Sequence, residues 1–226
     1  MGFYRGPQIV TSGLVLHLDA ANPKSYPGTG TTWYDRAGNL NGGVVNNVTL
    51  YNSPTFSSTN MGNLSFNGVD GYGNFTSYID FADSTAFTTE TVILIPTFVQ
   101  TSSRVHWLSG LGGNSMMIFY SNQILMWNEA GGVNQLGISY TFNVNTRYHV
   151  VVTRNTSNNV SLYVNGVFIN SGSRSGQFKW YTMGRLGAGG TTYCSNFTSY
   201  FNRIYNRALS AAEVLQNYNA LKSRFI

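Results

Sequence analysis

Short segments in which apolar and polar residues alternate recur along almost the whole chain, and they constrain the fold more than any other feature. Residues 14–19 alternate in this way, and residues 147–154 and 160–164 are rich in β-branched side chains. Asn165 and Gly166 follow as a two-residue turn signal of the type that favours a hairpin. About a dozen such segments stand at the regular spacing typical of a sandwich or barrel. The sequence therefore predicts an all-β domain.

Composition supports one domain and excludes several partners. The chain has 226 residues, of which 42% are hydrophobic and only 9% are charged. All-β domains of this length are commonly single units. The net charge of +5 comes from scattered basic residues without a basic cluster, so we expect no nucleic-acid binding. No apolar stretch approaches membrane-spanning length, and we expect no membrane contact. One cysteine, Cys194, excludes a disulfide framework within the chain.

The last twenty or so residues contain the only convincing helix signal. Ser210 followed by Glu213 predicts a capping box, in which each side chain bonds the backbone N–H of the other residue. Leu209 stands just before the cap, where a hydrophobic staple with Val214 is expected. Four apolar residues recur at helical spacing, and we expect this face to pack on the sandwich: Val214, Leu215, Tyr218 and Leu221.

The first residues differ from the rest, and we divide the chain into an N-terminal arm at 1–12 and a domain at 13–226. The arm contains glycine and proline together with apolar side chains that need a surface to lie on. Either the arm packs on its own domain or it docks on a partner. If it docks, four residues are expected to make the contact: Phe3, Tyr4, Arg5 and Ile9.

The acidic residues argue against catalysis. Glycoside hydrolysis needs two carboxylates close together, and no two acids in the chain are spaced i, i+2 along a strand. Asp80 and Asp83 come closest, in a segment that we interpret as a loop. His17 and His149 are interpreted as hydrogen-bonded residues of the sandwich, because no metal-ligand spacing is present. We therefore expect no enzymatic activity and no required cofactor.

The order of these pieces resembles the laminin-G-like, concanavalin A-like jelly-roll family. The similar segments span most of the chain and lie at residues 13–20, 64–72, 87–90, 148–153, 161–167 and 204–213. The resemblance implies a jelly roll of two antiparallel sheets with one short C-terminal helix. It also implies a calcium site at the sheet rim, near Asn67 and Asp70. The alternative is that Asp70 makes only an Asx-type turn contact.

The opening seven residues, residues 31–35 and residues 217–222 resemble single-domain virion structural proteins of tailed phages, often those of cyanobacteria. This resemblance implies a capsid decoration or cement protein that is made in the host cytoplasm and binds the major capsid protein on the virion surface. Other virion proteins and further copies of the chain are the other expected protein partners.

Two alternatives stay open. A glycan-binding adhesin on tail or capsid would contact host polysaccharide through exposed aromatic residues beside polar ones. Trp107, Trp127, Trp180 and the many tyrosines are the candidate platforms. The third interpretation is a glycoside hydrolase, which would need a carboxylate pair assembled from different strands.

Overall fold

Two antiparallel sheets of eight strands each pack face to face and confirm the predicted all-β fold. The computed structural model describes residues 8–38, 44–52, 54–59, 62–98, 104–110, 115–128, 134–187 and 193–225. The strands are β1 Leu14–Asp19, β2 Thr32–Trp33, β3 Val48–Tyr51, β4 Thr55–Ser57, β5 Asn63–Asn67, β6 Tyr72–Phe81, β7 Phe87–Leu94, β8 Arg104–Ser109, β9 Met116–Tyr120, β10 Gln123–Asn128, β11 Asn134–Ser139, β12 Arg147–Arg154, β13 Asn159–Val164, β14 Val167–Ser173, β15 Phe178–Met183 and β16 Asn196–Tyr205.

The strand order within each sheet is that of a sandwich with many long-range pairings. The first sheet runs β14-β13-β12-β7-β16-β5-β4, and β1 also pairs with β16. The second runs β11-β10-β9-β8-β15-β6-β3-β2. Their inner faces enclose one main core, in which the largest side chains include Trp33, Trp107 and Trp180. Burying this continuous apolar layer between the sheets is the main stabilising contribution.

The predicted hairpin at Asn165 and Gly166 is confirmed. Both residues have positive φ, 51° and 78°, as the two central positions of a type I′ turn require. The turn joins β13 to β14. One strand was not indicated by the sequence, because β11 has no clear alternation. The prediction that Asp80 lies in a loop is wrong, since β6 runs through it to Phe81.

One helix, α1 at Ala211–Phe225, closes the chain and lies on the outer face of the first sheet. Its capping box is confirmed: the Glu213 N–H donates to Ser210 Oγ at 3.3 Å, and the Ser210 N–H donates to Glu213 Oε2 at 2.8 Å. Leu209 and Val214 are buried in the same cluster, as the staple predicts. Among the described residues, no helix is long and apolar enough to cross a membrane.

The predicted packing face of α1 is partly wrong. Leu215 is 46% exposed, whereas Val214, Asn217, Leu221 and Phe225 are buried. The helix is rotated so that the polar Asn217 faces the sheet, because the sheet offers polar partners at that position. The spacing of apolar residues alone predicted that Leu215 is buried, whereas Asn217 occupies the buried position.

The end of the arm lies along this helix. Ile9 packs against the cluster that contains Leu221 and Phe225. The Val10 N–H donates to Asn217 Oδ1 at 2.7 Å. These residues therefore lie on their own domain. Phe3, Tyr4 and Arg5, which we expect to bind a partner, lie outside the described residues.

Candidate functional site

A buried polar cluster lies beneath α1, and its chemistry resembles that of a catalytic site. Glu90 Oε1 meets His149 Nε2 at 2.7 Å and accepts from Arg203 at 3.4 Å. The other oxygen, Oε2, accepts from the Asn217 amide at 2.9 Å and from the Tyr205 hydroxyl at 3.3 Å. All five residues are buried. A carboxylate enclosed in this way cannot meet a substrate, so we assign the cluster to anchoring the helix.

The pKa values in this cluster follow from its contacts. Burial alone would raise the pKa of Glu90, but the Arg203 charge and the His149 contact outweigh it and lower the pKa to about 2. His149 is thus a hydrogen-bonded residue of the sandwich, as expected. His17 is not, since neither ring nitrogen has a hydrogen-bond partner in the structure. Burial, together with the Arg203 charge, lowers its pKa to about 3.

The other described carboxylates also have structural partners. Asp35 is buried and accepts backbone N–H groups of His17, Ala37 and Asn46 at 2.8–3.1 Å. Asp19 pairs with Arg224. Four others bond as follows: Asp83 with the Gly176 N–H at 2.6 Å, Glu213 with Arg207 at 2.6 Å, Asp80 with Gln177 at 2.7 Å and Asp70 with Asn67 at 2.8 Å. Glu129 lies outside the described residues.

Asn67 and Asp70 are brought together, but they form a turn. Asn67 Oδ1 accepts the N–H groups of Val69, Asp70 and Gly71 at 2.9–3.1 Å. The Asn67 amide donates to Asp70 Oδ1 at 2.8 Å. Calcium needs six to eight oxygen ligands, and this arrangement directs the Asn67 oxygen into the turn, so the residues as placed do not fit the ion. No group of three metal-ligating side chains occurs among the described residues. Calcium binding stays a prediction.

The candidate tryptophans whose side chains the structure describes, Trp107 and Trp180, do not form an exposed platform. Trp107 and Trp180 are fully buried between the sheets. The side chain of Trp127 lies outside the described part of β10. The exposed aromatic residues of interest are instead tyrosines on the outer face of the second sheet.

The first tyrosine pair lies where β3 meets β6. Side chains alternate across a strand, so neighbours of a core residue point outward. Val48 and Phe75 pair in register and are both buried in the core, whereas Tyr51 pairs with Tyr72 on the outer face. Their rings stack at 4.8 Å between centroids, and Tyr51 is 39% exposed. The Arg185 guanidinium lies 3.6 Å from the centroid of the Tyr72 ring.

The second pair lies where β6 meets β15. Ile79 pairs with Trp180 in the core, and the adjacent Tyr78 and Tyr181 contact each other on the outer face at 5.2 Å. Tyr78 is 38% exposed. Thr49, Asn74 and Thr76 are the polar outward residues between the two pairs. We call the set of Tyr51, Tyr72, Tyr78, Tyr181 and these three polar residues the tyrosine strip.

A bulge in β6 gives the strip its shape. The register with β15 passes from Asn74 opposite Thr182 to Ile79 opposite Trp180, so β6 has extra residues here. Bulges are frequent next to functional sites, where they redirect side chains. Asn46 holds the bulge: its amide donates to the Ser77 carbonyl, and its oxygen accepts the Ser77 N–H, both at 3.0 Å. Asp35 in turn positions Asn46, because its carboxylate accepts the backbone N–H of Asn46 at 3.1 Å. Sequence inspection missed this arrangement, because it depends on side chains far apart in the chain.

A cleft of about 670 Å³ adjoins the second pair. Ser77, Tyr78 and Asp80 line one side, and Leu14 and Val15 of the first sheet line another. Small-molecule sites are concave and combine apolar walls with a few converging polar groups, and this cleft has both kinds of lining. The tyrosine strip and this cleft together are the candidate functional site.

Comparison with known proteins agrees with the architecture. A family model described as the concanavalin A-like lectin/glucanases superfamily matches residues 66–215. No curated protein matches the sequence. Among solved structures, botulinum neurotoxin type C, whose cell entry depends on interaction with two ganglioside molecules, is 14% identical with a TM-score of 0.67. The match covers 94% of this chain and 52% of that chain.

Two further structures are similar. The binding domain of botulinum neurotoxin DC in complex with rat synaptotagmin II is 13% identical, with a TM-score of 0.66 over 94% of this chain and 52% of that chain. Trypanosoma rangeli sialidase in complex with sialic acid is 18% identical, with a TM-score of 0.62 over 94% of this chain and 33% of that chain. The chain thus spans about half the length of the toxin chains and a third of the sialidase. At these identities the similarity establishes the fold alone.

Proposed function

The chain belongs to the concanavalin A-like lectin/glucanases superfamily, and from that premise we propose that it is a carbohydrate-binding domain. The observation that carries the proposal is the tyrosine strip, which runs into the cleft at Tyr78. Tyrosine rings have flat apolar faces and a polar hydroxyl, which suit the faces and hydroxyl groups of sugars. Because the Tyr72 ring stacks on Tyr51 and has Arg185 against it, a sugar would contact mainly the more exposed Tyr51 and Tyr78. Between the rings, a sugar would meet the Thr49 hydroxyl, the Asn74 amide nitrogen and the Thr76 hydroxyl oxygen, whose proton already bonds the Asn47 carbonyl.

The solved structures support this interpretation better than they support capsid decoration. Botulinum neurotoxin type C interacts with gangliosides, and the sialidase was solved with sialic acid. Both ligands are carbohydrates or carry them. The same fold in this chain presents Tyr51 and Tyr78 on one sheet face, away from the helix.

Binding to a panel of polysaccharides tests the proposal. We expect the protein to bind at least one of a panel of glucans, mannans, galactans and alginates, and Tyr78→Ala to weaken that binding about tenfold, which corresponds to about 1.4 kcal/mol. Phe168→Ala is the matched control, because Phe168 is 52% exposed on the other sheet. Binding of no panel member, or equal losses in both variants, would contradict the proposal.

We propose that the domain binds without catalysis. Asp80 is the one acid among the described residues that line the cleft, and it accepts from Gln177 at 2.7 Å and lies 3.8 Å from Lys179. Hydrolysis needs a second carboxylate across the scissile bond. We expect no release of reducing ends from any polysaccharide that the protein binds. Release that disappears in Asp80→Asn would show that the domain is a hydrolase.

A virion setting is our second proposal, and one observation favours it. Gln8, where the described chain begins, lies beside α1, and the Gln216 amide donates to its carbonyl at 2.8 Å. The helix covers the outer face of the first sheet, and the tyrosine strip lies on the outer face of the second. Attachment to a capsid or tail protein through residues 1–7 would therefore leave the strip exposed. A density map of the virion tests this: finding the domain attached through its tyrosine strip, or absent, would contradict it.

A further inference from the structure

We infer that the tyrosine strip binds an extended, uncharged glycan chain that contacts both tyrosine pairs at once. This inference rests on the proposed carbohydrate-binding function. It adds the class of ligand, a linear chain of several sugars, to the statement that sugars bind.

The distance between the pairs favours an extended ligand. Met183 of β15 pairs with Gly73, next to Tyr72, and Trp180 pairs with Ile79, next to Tyr78. Along β15 the two pairings are three residues apart, and the tyrosine pairs are therefore separated by three to four residues. At about 3.3 Å per residue, this separation is roughly 10–13 Å along the sheet. A single sugar ring is shorter than this separation and can cover one pair only. A chain of linked rings can reach both.

The surface between the pairs is suited to the middle of such a chain. Thr49 and Thr76 are exposed, and Asn74, opposite Thr49 in register, is partly exposed. Such hydroxyl and amide groups can exchange hydrogen bonds with sugar hydroxyls. The Thr76 hydroxyl donates to the Asn47 carbonyl and keeps its acceptor capacity, and Asn74 Oδ1 accepts from Arg185 while its NH2 can donate to a sugar. No apolar wall among these residues blocks the path from one pair to the other.

The charges along the strip are balanced at each end. Lys179 lies 3.8 Å from Asp80, and its ammonium is 4.5 Å from the centre of the Tyr78 ring. At the other end, the Arg185 guanidinium lies against the Tyr72 ring, and Asp70 stands two residues before Tyr72 in the chain. A polyanion would gain little at a site where each cation has a carboxylate nearby. The balance therefore favours an uncharged glycan.

The support beneath the strip makes the site preformed. The Asn46 side chain holds Ser77 through both backbone groups, and the Tyr51 and Tyr72 rings are held by stacking and by Arg185. A preformed site loses less conformational entropy on binding. Two weak contacts on one rigid surface then combine into one stronger interaction.

A series of oligosaccharides tests the inference. The probes are a monosaccharide through a hexasaccharide of whichever neutral polysaccharide binds in the panel, measured by titration calorimetry. We expect affinity to rise at least about tenfold from the disaccharide to the hexasaccharide, as a second contact region is reached. In Tyr51→Ala, where one pair is incomplete, this gain should largely disappear. Tyr181→Ala should have the same effect from the other end, and Phe168→Ala should leave the gain unchanged.

Outcomes separate this inference from the proposal on which it rests. Circular dichroism first confirms that each variant is folded. Equal affinity for short and long oligosaccharides would overturn the extended-ligand inference and leave carbohydrate binding intact. Tighter binding of an alginate than of every neutral glycan, with an affinity that falls steeply with salt, would overturn the uncharged class. Binding of no glycan at all would instead contradict the proposed function.

Discussion

His17 and His149 both lie on the face of the first sheet that the helix covers, yet their chemistry differs. His149 has Glu90 within 2.7 Å, whereas the His17 ring nitrogens have no hydrogen-bond partner. His17 pairs in register with Arg203, whose positive charge adds to burial in lowering the His17 pKa. The half-buried imidazole, whose two nitrogens are inaccessible, is therefore neutral at physiological pH. Sequence alone gives both histidines the same expectation, because each stands in an apolar strand segment.

This difference predicts a pH dependence of stability. Between pH 6.5 and about 3, the unfolded chain binds a proton at His17 that the folded chain does not, so the free energy of unfolding falls as pH falls through this range. His17→Phe removes this loss. Between pH 7 and pH 4, the free energy of unfolding of the variant should fall by about 3 kcal/mol less than that of the native protein. Urea unfolding at both pH values measures this difference.

His106 provides the internal comparison. Burial lowers its pKa to about 4, so it contributes a similar loss of stability in both proteins. The variant should therefore keep part of the pH dependence. Parallel curves of unfolding free energy against pH for the two proteins would show that His17 is not buried in its neutral form.

At the scale of single elements, the start of the closing helix is set by nearby residues, whereas its buried face is set by residues of distant strands. The capping box and the staple involve residues three to five positions apart, so local sequence determines them. Which side of the helix meets the sheet depends on Glu90 and Tyr205, which bond Asn217 from distant strands. For that reason the beginning of the helix was predicted correctly, and Leu215 was placed wrongly.

Two leucines of this helix form a matched pair for mutation. Leu221→Ala removes a buried side chain and should lower the free energy of unfolding by about 2–5 kcal/mol. Leu215→Ala changes an exposed side chain and should alter it by less than about 0.5 kcal/mol. Chemical denaturation measures both. Similar costs at the two positions would mean that the helix packs with a different face than described.

The candidate site was less predictable than the fold. In β3, the side chain of Tyr51 points to the other face of the sheet from the buried Val48 and Leu50. Its outward direction could therefore have been inferred from the alternation of the strand. The direction of Tyr78 could not, because a bulge held by Asn46 precedes it. No local sequence pattern in β6 predicts the extra residues between Asn74 and Ile79. The bulge follows from a side chain thirty-one positions away, which a single sequence does not connect to Ser77.

At the scale of the whole molecule, the end of the arm and the helix stabilise each other. The Tyr205 hydroxyl donates to the Val10 carbonyl at 3.1 Å, and Asn217 accepts the Val10 N–H. Both side chains are buried. Removing Val10 would leave the buried Asn217 Oδ1 without this donor, which costs about 1–3 kcal/mol, whereas the Tyr205 hydroxyl keeps Glu90 as its acceptor.

Two truncations test this role. A chain that lacks residues 1–10 should unfold roughly 5–10 °C below a chain that lacks only residues 1–7, which corresponds to a loss on the order of 3 kcal/mol for a domain of this size. Calorimetry of the two proteins isolates the contribution of Gln8, Ile9 and Val10. Equal midpoints would show that these three residues add nothing to the isolated domain.

The two outer faces of the sandwich differ: α1 and the end of the arm pack on one, and the other carries the tyrosine strip. Copies fixed side by side through the closed face would all present their strips in the same direction. A long polysaccharide held by one copy would then meet the next at a high effective concentration, so that later contacts are intramolecular. Avidity from such an array can exceed the affinity of one site by roughly a hundredfold to ten-thousandfold. A weak individual site would then suffice for durable yet reversible attachment.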